Sequence, residues 1–315
     1  MSRTMRAAVI HRFGGPEVLR AESVPEPVAG EGESVIDVRL AGLNYADLEI
    51  RAGTYDPPPL PAVLGADVVG RRRSDGRRVA ALLRHGGGYA QVAVARDEHT
   101  VEVPEDVTDA QALCLLEQGC TAHSALATVG RLRAGESVAV SSAAGGVGHL
   151  AVQLARAAGA STVVGLASTP AKRDFVRSLG ADHAVGLPEE VREAVPGGVD
   201  LYVDSLGGPY LPAALAALAP FGRVVSVGWR AEAPAPVALG DLIERSVGLH
   251  GVWMRHVLLA PGLLARTADH LFALARKGLL TGHVDRVVPL AEVGRAHAAV
   301  AARQTAGKVL VDVHG

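Results

Sequence analysis

The residues best placed to do chemistry begin in "SSAAGGVGHLAVQLARAAGA", residues 141–160. An apolar run, "SVAVSS", enters a glycine-rich turn, and a helix of small apolar residues leaves it. Against the pattern G-x-G-x-x-G, positions 143, 145 and 148 are Ala, Gly and Gly. Gly145 lets the backbone approach a pyrophosphate closely. Gly148 lets the helix pack tightly on the strand, and the amides at the helix start point at the phosphates. The chemistry implied is dinucleotide binding. Three further strand–helix units follow the turn, which is the context the fingerprint requires.

The next strand indicates which dinucleotide. It ends "VVGLASTPAKRDF", with Ala167 and Ser168 where a NAD-binding unit carries an acidic residue. Asp174 comes later, inside the helix. Small hydroxyls at Ser168 and Thr169, followed by Lys172 and Arg173, suit a 2′-phosphate. The expectation is NADPH. Other chemistries find less support. Cys114 and Cys120 cannot make a disulfide framework or a four-cysteine zinc site, and their spacing fits no common ligand pair. The densest basic patch, Arg71–Arg73 with Arg77 and Arg78, lies between two strand-like runs. A solvated hairpin accounts for it better than a nucleic-acid site, and a formal net charge of −2 points the same way.

The elements that must position these residues fall into two textures. Residues 1–117 read as β-rich: "RAAVIHRF", "ESVIDVRLAGLN", "AVLGADVVG", "GRRVAALL" and "YAQVAVA" are short runs separated by Gly, Pro and Asp. From about residue 137 the strands become nearly unbroken apolar runs alternating with helices at 146–158, 170–179, 188–194 and 208–218. That alternation means a parallel sheet covered on both faces. "GLHGVWM", 248–254, reads as a sixth strand, a helix follows at 261–277, and "GKVLVDV" closes the chain. Over 315 residues this is an α/β protein of two domains, its cores built from Val, Leu and Ala because aromatics make up only 3%. No signal-peptide h-region precedes the first strand. The most apolar window, 211–229, is broken by Pro212, Pro220, Gly222 and Arg223, so no membrane partner is expected. Two cysteines without a framework suit a cytoplasmic location.

The whole chain resembles the medium-chain dehydrogenase/reductase superfamily, and more narrowly its zinc-independent quinone oxidoreductases, the zeta-crystallin-like branch. "RAAVIHRFGGPEVL", "GLNYADLEIRAGTY", "GGYAQ", "EQGCTAHSAL", "AAGGVGHLAVQLA", "LGAD", "VDSLGG" and "GRVVSVG" occur in family order. The resemblance implies a GroES-like catalytic domain from residues 1–117, a Rossmann domain at 118–255, and a C-terminal return at 256–315, with the active site in the cleft. Zinc-dependent relatives use a cysteine in the first substrate loop and a Gly-His-Glu motif. Here Asn44 stands near the cysteine position, and Ala66 and Asp67 replace the His and Glu. Without a metal to hold an alkoxide, reduction of a quinone or an α,β-unsaturated ketone is the expected reaction.

Carried over by motif, Asn44 and Tyr55 are the catalytic candidates, with Tyr45 a weaker one. Gln118 and Thr121 would border the nicotinamide. Gly145, Gly146 and Val147 would face the pyrophosphate, Lys172 the 2′-phosphate, and Lys308 would lie close to the cofactor. Each has a plainer alternative: Asn44 as a turn cap, Thr121 as a helix-start hydroxyl, Tyr55 packed beside "PPPLP", Lys172 as a solvated face. Glu49 stands where relatives carry a second tyrosine, Leu187 where they place one against a ribose, and the 70–79 hairpin is short. Two other functions stay open. One is an enoyl-thioester reductase, with Arg71–Arg73, Arg77 and Arg78 as its basic entrance. The other is a NADPH-binding structural or sensor protein. A homodimer is expected, formed across a long apolar edge made by strands near 222–228 and 248–254.

Overall fold

The computed structural model describes residues 3–228 and 236–315. Trp229, the end of the apolar window noted above, lies outside them, as do Met1 and Ser2. The chain divides into two compact units. One comprises Met1–Glu117, Leu258–Arg276 and Gly282–Gly315, the other Gln118–Val257 and Lys277–Thr281.

The second unit is a six-stranded sheet: Ser137–Val140, Thr162–Leu166, His183–Val185, Val199–Asp204, Leu218–Ser226 and Gly248–Gly251. Numbered in chain order, the strands lie 3-2-1-4-5-6 and every pair is parallel. This is the order of a doubly wound dinucleotide-binding sheet, whose ligands bind beyond the carboxyl ends of the strands near the point where the order reverses. All four residues of Ser137–Val140 are buried, as a central parallel strand requires. Gly165 is needed for packing: a Cβ there would come within 2.2 Å of Val176 on the following helix, Pro170–Ser178.

The expected dimer edge needs correction. Leu218–Ser226 is an interior strand, held between Val199–Asp204 and Gly248–Gly251. The outer strand is only four residues long, with His250 and Gly251 exposed. Of the remainder of "GLHGVWM", Val252 and Trp253 lie outside the strand and Met254 opens a helix, Met254–Leu259.

The first unit is built on a seven-stranded, mostly antiparallel sheet. Its long strand Glu33–Leu43 pairs with Asp67–Arg72, with Val92–Arg96 and with the C-terminal strand Lys308–Asp312. The helix Tyr45–Ala52 starts directly where the long strand ends. Val18, Ile36, Val38, Val68, Tyr89 and Val311 are among the buried residues of its core. The arginine-rich hairpin runs between Asp67–Arg72 and Arg78–Leu82.

Candidate functional site

The nucleotide turn shows why it needs small residues. Ser142 sits in the left-handed region at φ 48, strained for a residue with a side chain, and its carbonyl accepts the Gly145 amide at 2.8 Å. A Cβ on Gly148 would lie 2.3 Å from the Ser142 oxygen and 2.7 Å from Ala143 Cα, so only glycine lets the helix Gly148–Ala157 begin there. His149 donates its amide to the Gly145 carbonyl, opening the helical ladder. The amides of Gly146, Val147 and Gly148 precede that ladder and are the groups a helix start offers to an anion. Gly145, Gly146 and Val147 are all partly exposed. Gln118, nearly buried, lies against this turn: a Cβ on Gly146 would meet its carboxamide at 2.4–2.5 Å. Thr121 is buried in the short helix Cys120–His123.

At the end of the second strand, Ser168 is exposed and Thr169 caps the next helix, its hydroxyl accepting the Lys172 amide. Arg173 turns back to donate to the carbonyls of Ala167 and Ser168. That use accounts for one cation at a helix start. Lys172 is half-buried beside the same loop. No carboxylate occupies the strand end, so the residues present fit a 2′-phosphate and the turn fits a pyrophosphate.

In the first unit the β register gathers a polar cluster that spacing alone does not reveal. Gly42 pairs with Asp67, and Val309 pairs with Leu43, so one step further Lys308 lies opposite Asn44. Because side chains alternate along a strand, Asp67, Asn44 and Lys308 all project on the Gly42 face. The other face is apolar: Leu43 and Val309 pack with Leu48 and Ala296. Asn44 Nδ2 donates to Asp67 Oδ1 at 2.6 Å, while Lys308 Nζ donates to Asn44 Oδ1 and Asp67 Oδ2, each at 2.8 Å. Asp67 and Lys308 side chains are 0% exposed. Burial works against the charge on Lys308. The carboxylates of Asp67 and Glu117 outweigh it and hold the ammonium above the ordinary lysine value. Gly42 makes room for this cluster, since a Cβ there would lie 2.3 Å from Asp67 Oδ2.

A second buried chain holds Asn44 from the backbone side. Asp47 and Arg51 lie one turn apart on the helix Tyr45–Ala52, hence on one face. Asp47 Oδ2 accepts the Asn44 amide at 2.9 Å and the Tyr89 hydroxyl at 3.1 Å. Tyr89 also meets His297 Nε2 at 3.1 Å, and Arg51 donates to His297 Nδ1 at 3.2 Å. A guanidinium only donates, so Nδ1 is the acceptor and Nε2 carries the proton given to Tyr89. Every donor in this chain therefore runs towards Asp47. Burial, with Arg51 beside it, pushes His297 down to about 3, so the ring is neutral. Burial, reinforced by Asp67, pushes Asp47 up to about 6 against its hydrogen bonds. Tyr89 rises well above the ordinary tyrosine value, chiefly through burial. Asp47, Arg51, Tyr89 and His297 are absent from the sequence-derived site. The i,i+4 pair Asp47–Arg51 is the one local signal that points to them.

The remaining candidates separate. Tyr55 is half-buried in the loop after the helix, next to Asp56, which has a φ of 37. Tyr45 is 52% exposed at the helix start. Asn44 does occupy the N-cap position, in a capping box with Asp47, and its carboxamide also bonds to Asp67 and Lys308. Lys308 therefore has its ammonium committed to those two residues. The zinc question has a direct structural answer: two of the three ligand-position residues, Asn44 and Asp67, bond to each other and to an internal ammonium, and the third is Ala66. A cation placed there would face that positive charge. Among the described residues no three His, Cys, Asp or Glu side chains are grouped as a metal site requires. The basic hairpin is neutralised. Arg72 pairs with Asp75, Arg73 with Glu26 and Asp37, Arg77 with Glu102, and Arg78 with Asp109, while Arg71 donates to the Gly76 carbonyl.

A parallel sheet of order 3-2-1-4-5-6 with this turn, in a chain that also carries an antiparallel unit closed by its own C-terminal strand, defines a two-unit dehydrogenase/reductase. Two family models agree: "Alcohol dehydrogenase GroES-like domain" matches residues 30–105 and "Zinc-binding dehydrogenase" matches residues 146–268. The chain is 33% identical to the human synaptic vesicle membrane protein VAT-1 homolog over 344 residues, covering 98% of this chain and 86% of that protein. It is 31% identical to the quinone oxidoreductase of Pseudomonas aeruginosa over 315 residues, covering 95% and 97%. Among solved structures, the quinone oxidoreductase from Thermus thermophilus, described with its NADPH complex, matches at 36% identity and a TM-score of 0.86, covering 98% of this chain and all of that one (100%). The chain belongs to the zinc-independent quinone oxidoreductase branch of the medium-chain dehydrogenase/reductase superfamily.

Proposed function

We infer that this chain is an enzyme that uses NADPH to reduce quinones and α,β-unsaturated carbonyl compounds, without a metal. The observation that carries the reading is the Asn44–Asp67–Lys308 triad, in which two of the residues at the positions where zinc-dependent relatives carry ligands bond to each other and to a buried ammonium. Bound NADPH supplies a hydride. The amides of Gly146 and Val147 would hold its pyrophosphate, with Gly145, its own amide turned to Ser142, giving the close approach; Ser168 and Lys172 would hold the 2′-phosphate, and Gln118 and Thr121 would border the nicotinamide. As hydride reaches the β-carbon of an enone or the ring of a quinone, negative charge gathers on the carbonyl oxygen. Asn44 and Tyr55 donate hydrogen bonds to that oxygen, and a solvent proton completes the product. Lys308, a cofactor candidate by resemblance, holds Asn44 in this reading.

The thioester-reductase reading loses its support, because four of the five hairpin arginines already face carboxylates. Steady-state assays with 1,4-benzoquinone, a small enone and crotonyl-CoA test the assignment. NADPH oxidation by the first two and little by the third is expected. Turnover with crotonyl-CoA alone would replace the reading, and turnover with none would favour a binding or sensor role.

A homodimer and a cytoplasmic location complete the proposal. The outer strand Gly248–Gly251 and the exposed Leu239 and Ile243, one turn apart, are what a two-fold partner would cover. Sedimentation at micromolar concentration showing only a 32.4 kDa species would remove the dimer. Both cysteines are buried free thiols, as suits a reducing compartment. No helix among the described residues is long and apolar enough to cross a membrane.

A further inference from the structure

We propose that Asp67 and Lys308 are positioning residues that lock the Asn44 carboxamide in one of its two flips. The proposal rests on the reading of Asn44 as a donor to the substrate oxygen. An ammonium only donates and a carboxylate only accepts. Asn44 Oδ1 must therefore face Lys308 Nζ, and Nδ2 must face Asp67 Oδ1, as observed at 2.8 and 2.6 Å. Turning the amide by 180° would set N–H against N–H and oxygen against oxygen in a buried site. The torsion that sets the carboxamide plane is otherwise soft and roughly two-fold, so the amide alone has no such preference.

With one Nδ2 hydrogen aimed at Asp67, amide planarity fixes the direction of the other. That is the form a preorganised donor takes, because its orientation is set before charge develops. The backbone is fixed as well, through the bond from the Asn44 amide to Asp47. The Asp67–Lys308 pair is net neutral and fully enclosed, so its contribution is direction rather than charge. Gly42 belongs to the same device, since any Cβ there would displace the Asp67 carboxylate.

The experiment compares Asn44→Ala, the paired variant Asp67→Leu/Lys308→Met, and the triple variant, following kcat on an enone, the Kd for NADPH and thermal melting. Replacing both charges by apolar residues avoids leaving either one buried alone. Asn44→Ala and the paired variant should each lower kcat by about ten-fold or more. The triple variant should fall no further, and NADPH affinity should change by less than about two-fold, since no cofactor contact is removed. A paired variant that keeps kcat while Asn44→Ala loses it would overturn the positioning role and leave Asn44 in place. An Asn44→Ala enzyme with full kcat would overturn the reading of Asn44 itself, and the proposal with it. A paired variant that loses NADPH affinity at unchanged kcat would return Lys308 to the cofactor. If melting shows that the paired variant does not fold, Gly42→Ala decides, because it pushes Asp67 off the amide while keeping all three residues. The same fall in kcat is expected, and an unchanged kcat would refute the proposal.

Discussion

Replacing His297 by Gln should flatten the acid side of the stability profile. The His297 ring is buried, accepts from Arg51 and donates to Tyr89, so the folded protein holds it neutral and depresses it from 6.5 to about 3. A depressed histidine contributes stability that is present above the unfolded value and lost as pH falls towards the folded one, because the unfolded chain binds the proton first. Between pH 6.5 and pH 5 the loss is about 1.5 units of pH at 1.36 kcal/mol each, or about 2 kcal/mol. Asp47 acts in the opposite sense. Burial raises it from 3.8 to about 6, so the folded chain binds its proton more tightly and gains about 1.4 kcal/mol between pH 7.5 and pH 5. The wild-type profile is the difference of the two, and comparison with His297→Gln isolates the histidine. Gln can accept at Oε1 and donate at Nε2, keeping both neighbours bonded without titrating. Urea unfolding at pH 7.5 and pH 5 should show wild type losing about 2 kcal/mol more than the variant. Equal losses would show that His297 does not carry the acid sensitivity, and would contradict the assignment of a neutral ring donating to Tyr89.

Lys172→Ala should weaken NADPH by about ten-fold or more, the size of one charge-assisted bond to phosphate, and leave NADH nearly unchanged. Equal losses measured for both cofactors would make Lys172 a packing or general-charge residue. Tyr55→Phe should lower kcat on an enone by about ten- to a thousand-fold and less on a strongly oxidising quinone, which needs less help. Unchanged kcat on both would reduce Tyr55 to packing. Gly148→Ala should destabilise the nucleotide unit by roughly 1–3 kcal/mol and abolish NADPH binding, because its Cβ meets backbone. Gly146→Ala meets only the end of the Gln118 side chain and should melt near wild type while weakening NADPH. Equivalent melting of the two variants would contradict this account of the turn.

The nucleotide-binding half was legible because its signals are local. Gly145 and Gly148 sit within one turn, and each apolar strand announces its own helix. The edge was misread because two neighbouring apolar strands look alike in sequence. Only the sheet order shows that Leu218–Ser226 is interior and Gly248–Gly251 is the rim. In the other unit, Asn44, Asp67 and Lys308 each drew notice separately. Their mutual bonds join residues 241 and 264 positions apart and depend on the register of three strands, which no spacing rule supplies. His297 reaches Arg51 across 246 positions, and a lone histidine on an apolar helix carries no signal of its own. The hairpin arginines were legible as a hairpin between two strands, but their carboxylate partners Glu26, Asp37, Glu102 and Asp109 are scattered along the chain and no spacing announces them.

The central claim is metal-independent hydride transfer from NADPH. Its most direct test uses exhaustively chelated protein, NADPH carrying deuterium at the transferable C4 position, and a small enone in ordinary water. Turnover should be undiminished by chelation, with one deuterium at the β-carbon of the product and none at the α-carbon. Turnover that returns only on adding zinc, or a product whose β-carbon carries solvent hydrogen, would contradict it.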